Sequence, residues 1–471
     1  MIRRSPQAFK QAARAALRDA PLQQALHRAR SGFVAKRAQA VRNCPDFEVW
    51  RDRARDVKDA ALDNLDPLLA TFEAAVHRQG GQLHHAADAN AACQAIVAIC
   101  READARLIAK GKSMVGEEVG LNEALAAAGF EVIETDLGEY IIQLADEPPS
   151  HIIAPAVHKT RQQIADLFAR HHTGLHGRRS AVGDLVDEAR QVLRAVFPAA
   201  DVGITGANLL IAETGAGMLV TNEGNGDLCS SLPRVHIMIA GIEKIVPSMA
   251  EAADILQVLS RSATGQPITC YTSFYAGPKR AGDPEGPEQF HVVLVDNGRR
   301  ALLNSEFRDI LRCIRCGACM NHCAVYQSVG GHAYGSVYAG PVGSVLTPSL
   351  YGLAVAADLP QACTLNGHCA DVCPVRIPLP GLLRQWRNRL HENAIGAATD
   401  RYGLAVFGWL ARQVWAYRFC TRIVSWLLRT VSGRCGAIRR LPGAAGWVAY
   451  RDLPAPDERT FFTQYRAGRR S

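Results

Sequence analysis

Through the first eighty residues apolar positions recur at three- and four-residue spacing, most plainly in VWRDRARDVKDAALDNLDPLLATFEAAV (49–76). Gly and Pro are scarce there, so the pattern predicts a helical arm, cut off by the pair Gly80 and Gly81. Beyond that point the period changes. Short apolar runs bounded by Gly, Asp or Pro follow one another: ARLIAKG (105–111), FEVIETD (130–136), HIIAPAV (151–157), NLLIAET (208–214), GMLVTNE (217–223), RVHIMIAG (234–241) and FHVVLVD (290–296). Runs of this length predict buried strands of an α/β sheet. VGLNEALAAAG (119–129), with a stop at Gly129, and TRQQIADLFARHH (160–172) fit between them as helices. Strand and helix alternate to about Gly298, and no internal repeat or low-complexity run is evident.

A length of 471 residues predicts about three domains. With 48% hydrophobic and 21% charged residues the composition is globular, which excludes a fibrous or unfolded role. No run approaches the ~18 apolar residues of a membrane span. The basic N-terminus (Arg3, Arg4, Lys10, Arg14, Arg18) has no apolar core behind it and is not read as a secretory signal. The expected address is cytoplasmic, and the 14 cysteines are then metal ligands or core thiols before they are disulfide partners.

Charge is uneven along the chain. From Gly381 to Ser471 there are 16 Arg, no Lys and 5 acidic residues, a net +11 that leaves −3 for the first 380 residues. Five of the six tryptophans, Trp386, Trp409, Trp415, Trp426 and Trp447, share that tail. Arg418, Arg422 and Arg429 fall on one helical face, with Trp415, Ile423, Trp426 and Leu427 around it. Such a segment suits peripheral contact with an anionic membrane or a partner subunit, and equally a solvated cap; a basic segment alone does not argue for nucleic acid.

Seven cysteines form two tight groups. CIRCGACMNHC places Cys313, Cys316, Cys319 and Cys323 at C-x2-C-x2-C-x3-C, the ligand run of bacterial ferredoxins. CTLNGHCADVCP places Cys363, Cys369 and Cys373 on the same spacing, with Asn366 at the second place. By the crossed pattern of two-cluster ferredoxins, Cys313, Cys316, Cys319 and Cys373 hold a first 4Fe-4S cluster. Cys323, Cys363 and Cys369 are left for a second, one corner short. Its outcomes are a three-iron cluster, a four-iron cluster completed by Asn366, His368 or water, or none; a labile four-iron cluster is favoured. Zinc is the rival for such thiols, but its usual grammar is two separated CxxC pairs. Cys44, Cys93, Cys100, Cys229, Cys270, Cys420 and Cys435 are scattered and read mostly as small core residues.

Beyond about residue 45, nearly all of the chain resembles the LutB-type iron-sulfur subunit of the bacterial L-lactate utilization system. The stretches that carry the resemblance include KSMVGEEVGLNEAL (112–125), PSHIIAPAVHKTR (149–161), IAETGAGMLVTNEGNG (211–226), LPRVHIMIAGIEKIVP (232–247), GGHAYGSVYAGPVG (330–343) and LNGHCADVCPVRIPLP (365–380), besides the first cysteine run. Asn366 and Ala324 depart from the family pattern, where a cysteine and a proline are common. The resemblance implies an α/β lactate-utilization domain related to sugar-phosphate isomerase and CoA-transferase folds, an α-helical ferredoxin domain, and a helical C-terminal extension. The boundaries expected are 1–75 for the helical arm, 76–300, 301–390 and 391–471. It implies two further lactate-utilization subunits as partners in oxidising L-lactate to pyruvate, with this chain relaying electrons.

In the α/β part, Glu213, Thr214, Gly215, Asn222, Glu223, Gly224, Asn225 and Gly226 are expected at strand ends, where open α/β sheets bind ligands. Glu213 is a candidate base or nucleophile, against the plainer reading of a turn residue neutralised by a neighbour. Lys112, Ser113, Glu117 and Glu118 open a helix, as an anion site or, with the edge, as caps. His151, His158, Lys159 and His236 read as hydrogen-bonded core residues. No G-x-G-x-x-G runs from strand to helix, so no flavin or nicotinamide site is expected in this chain. An acyl or CoA transferase with a structural cluster and an iron-sulfur redox sensor remain as alternatives to the relay.

Overall fold

The structure, a computed structural model, describes residues 6–172, 181–432, 436–441, 445–448, 451–457 and 459–468. Cys435 lies outside the described residues. Two compact units result, Met1–Leu390 and His391–Ser471.

The α/β part of the first unit is built from β1 (Gln82–Ala86), β2 (Leu107–Lys110), β3 (Glu131–Glu134), β4 (Val202–Gly206), β5 (Leu209–Ile211), β6 (Ala216–Thr221), β7 (Val235–Gly241), β8 (Ile245–Val246), β9 (Tyr271–Tyr275) and β10 (Gln289–Val295). Six of these form a sheet in the order β1-β10-β7-β4-β2-β3, with every neighbouring pair parallel. A parallel sheet needs both faces covered, and the central strands alternate accordingly. Ile237, Ile239, Val293 and Val295 pack with Ile96 and Ile99 of the helix Ala89–Glu102. Met238, Ala240, Val292 and Leu294 pack with Leu65, Leu69, Phe72 and Val76 of the helix Leu65–Arg78. A second, mixed sheet runs β8-β5-β6-β9.

From β2 the chain moves to β3 on one side, and from β4 it moves toward β7 on the other. The carboxyl ends of β2 and β4 therefore flank a topological switch point, where open α/β sheets leave a crevice.

Five of the seven apolar runs match strands β2, β3, β5, β7 and β10, and the sixth, GMLVTNE, matches β6. The run HIIAPAV is corrected: residues 151–157 are turns, closed by a bond from Ser150 N to the Pro155 carbonyl at 3.0 Å. Its continuous apolarity has another cause, because Ile152 packs among Ile314, Cys316 and Val375. The edge strand β1 (QLHHA) and the glycine-flanked β4 (VGITG) lack an apolar run and were not expected.

The helical arm does not stand apart from the cysteine-rich region. Phe47, Ala54 and Leu62 of the helix Phe47–Asp63 share one core with Ile255 and Val258 of the helix Met249–Ala263 and with Ile310, Tyr338, Leu383 and Trp386. Trp386 stacks on Phe307 at 3.9 Å between centroids.

In the second unit the helices Ala398–Arg412 and Val414–Ser432 carry Trp409, Trp415, Phe419 and Trp426 exposed. Among its described residues no helix is long and apolar enough to cross a membrane.

Candidate metal centre

The two cysteine groups, aligned on one spacing in the sequence, fold as the same turn used twice. Arg315 and Leu365 follow the first cysteine of each group at φ 59° and 55°, in the left-handed region. Each donates its backbone N–H to that cysteine: Arg315 N to Cys313 Sγ at 3.4 Å, Leu365 N to Cys363 Sγ at 3.3 Å. Gly317 and Gly367 then take φ 74° and 89° and start short helices at Ala318 and His368. At Gly317 a side chain is doubly excluded, since a Cβ there would stand 3.0 Å from His151 Cε1.

Cys313, Cys316, Cys319 and Cys373 line one small apolar cavity, closed by Ile152, Val342, Val375, Ile377 and Leu379. Burial pushes the thiols up, Cys316 to about 12 and Cys373 to about 11. Cys316 is raised further by Cys373 and Cys313, and Cys319 by Cys313, Cys316 and Cys373. Burial raises Cys323 and Cys369 too, Cys323 further through Cys363, and Cys369 through Cys363 and Cys323. Thiols so placed ionise when a metal takes the charge. Among the described residues no three of these sulfurs lie within 4.8 Å of one another. Four thiolates on one zinc at 2.3 Å would sit about 3.8 Å apart, closer than any three of these sulfurs come. Further N–H donors reach the sulfurs, Ile377 to Cys373 at 3.3 Å and Tyr326 to Cys323 at 3.5 Å, which is how proteins stabilise reduced clusters.

In the second set the corner occupied by Asn366 is exposed, and its Oδ1 accepts from His368 N at 3.2 Å. His322 and His368 meet edge-on beside it at 5.0 Å.

A shell of buried cations surrounds the first set. Arg51 donates to the Cys373 carbonyl from Nε and Nη2 at 3.1 and 2.7 Å and to the Asp371 carbonyl at 2.7 Å; Arg37 donates to the Val372 carbonyl at 2.9 Å. Glu243 pairs with Arg299 at 2.5 Å and with Arg315 at 3.5 Å, and Arg299 forks onto Glu118 with two 2.8 Å bonds. Lys58, bonded to the Glu243 carbonyl, and Lys244 are both buried. Burial drives both lysines down to about 8. Around Arg315 the cations Lys58, Lys244, Arg299 and Arg315 outnumber Glu118 and Glu243, an excess that four thiolates on iron would balance.

The second cavity, about 470 Å³, lies at the carboxyl ends of β2 and β4. Lys112, Ser113, Asn222, Glu223, Asn225 and Gly226 line it, with Asp136, Lys244 and Arg315. Ser113 also caps its helix, accepting from Gly116 N at 3.0 Å. Burial raises Glu223, whose carboxylate takes Leu137 N at 3.4 Å. Glu213 is elsewhere: it is exposed, caps the helix Met249–Ala263 by accepting from Met249 N at 2.8 Å, and does not line the cavity. Thr214, Gly215 and Gly224 do not line it either, and Glu117 and Glu118 are engaged by Lys110 and Arg299.

The histidines are core groups. His151 bonds Asn321 at 3.0 Å, and His236 bonds Thr205 Oγ1 at 2.8 Å. His158 and Lys159 bind Glu147, and with His332 they form a cluster that joins the loop after Glu147 to the ferredoxin part. Lys159 on the same carboxylate supplies the positive charge a cation would need to displace. The arginines on the N-terminal arm were the functional signal missed; Arg37 and Arg51 look like ordinary helix-surface residues in the sequence.

Residues 69–295 match the LUD domain family and residues 309–377 the 4Fe-4S dicluster domain family. The chain is 41% identical to lactate utilization protein B of Shouchella clausii over 99% of its own length and 98% of the relative's. It is 40% identical to lactate utilization protein B of Bacillus subtilis (96% and 95%). It is also 40% identical to the uncharacterized electron transport protein YkgF of Escherichia coli (99% and 98%). A crystal structure of a DUF162 family protein from Deinococcus radiodurans aligns over 49% of this chain and 98% of that one, at 16% identity and a TM-score of 0.26. With an α/β LUD domain and an iron-sulfur cluster-binding dicluster domain in one chain, the protein belongs to the lactate utilization protein B family.

Proposed function

We propose that this chain is the electron-transfer subunit of a multi-subunit complex that oxidises L-lactate to pyruvate, with two further lactate-utilization subunits as partners. The relatives' names supply lactate utilization and electron transport. The observation that carries the reading is the cavity walled by Cys313, Cys316, Cys319 and Cys373 inside a buried cationic shell. In this reading those four thiolates hold a 4Fe-4S cluster, which supplies one-electron transfer. Cys323, Cys363 and Cys369 hold a second, labile four-iron cluster whose remaining corner lies at the exposed Asn366.

The residues around the sulfurs have separate tasks. Arg51 and Arg37 fix the Cys373 segment; Arg315 and Lys244 lower the cost of adding an electron; Ile152, Val342 and Leu379 exclude water. Cys319 feels the charge of Cys369 as well as that of its own set, which supports an electron path from the first set to the second. Exposed Trp409, Trp415, Phe419 and Trp426 support contact of the second unit with a partner subunit, because contiguous exposed apolar surface marks interaction sites.

The test is anaerobic reconstitution with iron and sulfide counting, then electron paramagnetic resonance of the reduced protein. Cys316→Ser should abolish the first cluster's signal. A colourless protein, or one that takes zinc in place of iron, overturns the reading.

A further inference from the structure

The LUD-domain cavity and the cluster cavity share a wall. Ile152, Arg315 and Cys316 line both, so a single turn of the ligand loop separates them. A pure relay needs no such pocket beside its cluster.

The cavity is also a built site. Lys244 is 5% exposed, lines it, and makes no hydrogen bond or ion pair among the described residues. Asn225 is 6% exposed and its Oδ1 has no hydrogen-bond partner. A buried ammonium is normally paired, so Lys244, lining this space without a hydrogen bond or ion pair among the described residues, points to a missing anionic occupant. About 470 Å³ falls within the roughly 300–1,000 Å³ of pockets for drug-sized ligands, several times the volume of a three-carbon acid. Charge gives the orientation. Lys112 at the other lining segment already faces Glu139 at 3.7 Å, with Asp136 and Glu223 nearby. Arg315 is met by Glu243 at 3.5 Å, so among the described lining cations Lys244 alone faces the cavity without a carboxylate partner.

We propose that this cavity binds a conjugated organic anion that carries two electrons, its ring against the Ile152–Arg315–Cys316 wall and Lys244 facing the negative charge the ring gains on reduction. The inference rests on the electron-transfer reading and makes this chain a converter as well as a relay. The reduced carrier gives up two electrons and two protons. A four-iron cluster held by Cys313, Cys316, Cys319 and Cys373 would take these electrons one at a time and hand each to a one-electron acceptor, while the protons would leave to water. Hydride-level chemistry elsewhere in the complex would thus meet one-electron centres here.

Flavin mononucleotide serves as the probe, with the anaerobically reconstituted full chain; binding there would overturn the sequence expectation of no flavin site, which rested on a missing dinucleotide fingerprint that a pocket of this kind does not need. Equilibrium dialysis should show saturable binding of one molecule per chain, and the reduced cluster's resonance should change on binding. Ala263→Trp fills the cavity from a residue that does not touch the cluster compartment, and should abolish binding at unchanged iron content. Lys244→Met should weaken binding about tenfold, the worth of one charge-assisted contact. Full iron content without flavin binding, or binding indifferent to both substitutions, overturns this inference and leaves the cluster reading standing. Binding of pyruvate or L-lactate that Ala263→Trp abolishes, with no flavin binding, overturns the carrier class. Absence of iron refutes the reading beneath it.

Discussion

Arg51, from the N-terminal helix Phe47–Asp63, holds the carbonyl oxygen of Cys373 with two nitrogens at 3.1 and 2.7 Å. The fourth thiol of the first set comes from a turn that the first set's own sequence does not contain. Its position depends on a residue more than 300 positions earlier. Arg376, three residues on, is tied to the same helix through Asp52 at 2.9 Å.

Arg51→Met should therefore strip a buried carbonyl of its donors. Leaving that group unsatisfied costs about 1–3 kcal/mol. Chemical denaturation should show a lower midpoint with an unchanged slope, and bleaching in air should quicken because Cys373 loses its anchor. A stable, air-resistant Arg51→Met protein would contradict the clamp.

At the second set the outcome is the reverse. Asn366 stands where the repeat places Cys316 in the first turn, and the preceding Leu365 already has the left-handed geometry of Arg315. Asn366→Cys needs no backbone change, and should give a second cluster that survives gel filtration. Iron counting per chain reads the result; an unchanged count would mean that the exposed corner is not a ligand position.

His236 provides a pH test away from the metal ligands. Burial, then the neighbouring His291, pushes it down to about 3 from 6.5. The unfolded chain binds a proton that the folded chain refuses, so stability falls as pH drops below about 6.5 by up to roughly 1.4 kcal/mol per pH unit. His236→Gln, able to keep the Thr205 contact, should flatten the urea midpoint between pH 6.5 and 5. An equal slope in both proteins would show that His236 is protonated in the fold.

The exposed tryptophans of the second unit should behave differently from Trp386. Trp415→Glu and Trp426→Glu, at 71% and 64% exposure, should alter stability by no more than about 0.5 kcal/mol. Association with the two proposed partner subunits, followed by co-purification, should be lost. Trp386→Ala should cost about 3–5 kcal/mol, since that ring is stacked on Phe307 and buried.

Much of the fold was legible because buried parallel strands such as VHIMIAG and FHVVLV are apolar on both faces. What hid the rest was context. β1 is half-exposed and carries His84 and His85; β4 trades side chains for glycines, and at Gly203 a Cβ would collide with the Cys229 carbonyl. Ile152 and Ile153 look like strand residues because the loop that bears them is buried on both sides, with Ile152 against the ferredoxin core. The thiol sets were readable from spacing, as ligand chemistry is local. The charge shell was not, since Lys58, Glu118, Glu243 and Arg299 come from four separate segments. Glu213 stood out as an acid at a strand end, and folding spent it on a helix cap.

Iron held by the four thiols around Cys316 is what the electron-transfer role requires. Iron and sulfide analysis of anaerobically prepared protein, with resonance spectra of the wild type and Cys316→Ser recorded side by side, tests it most directly. A cubane signal in the wild type that disappears in Cys316→Ser is the predicted result. A metal-free wild type, zinc in the thiol cage, or a signal indifferent to Cys316→Ser would contradict it.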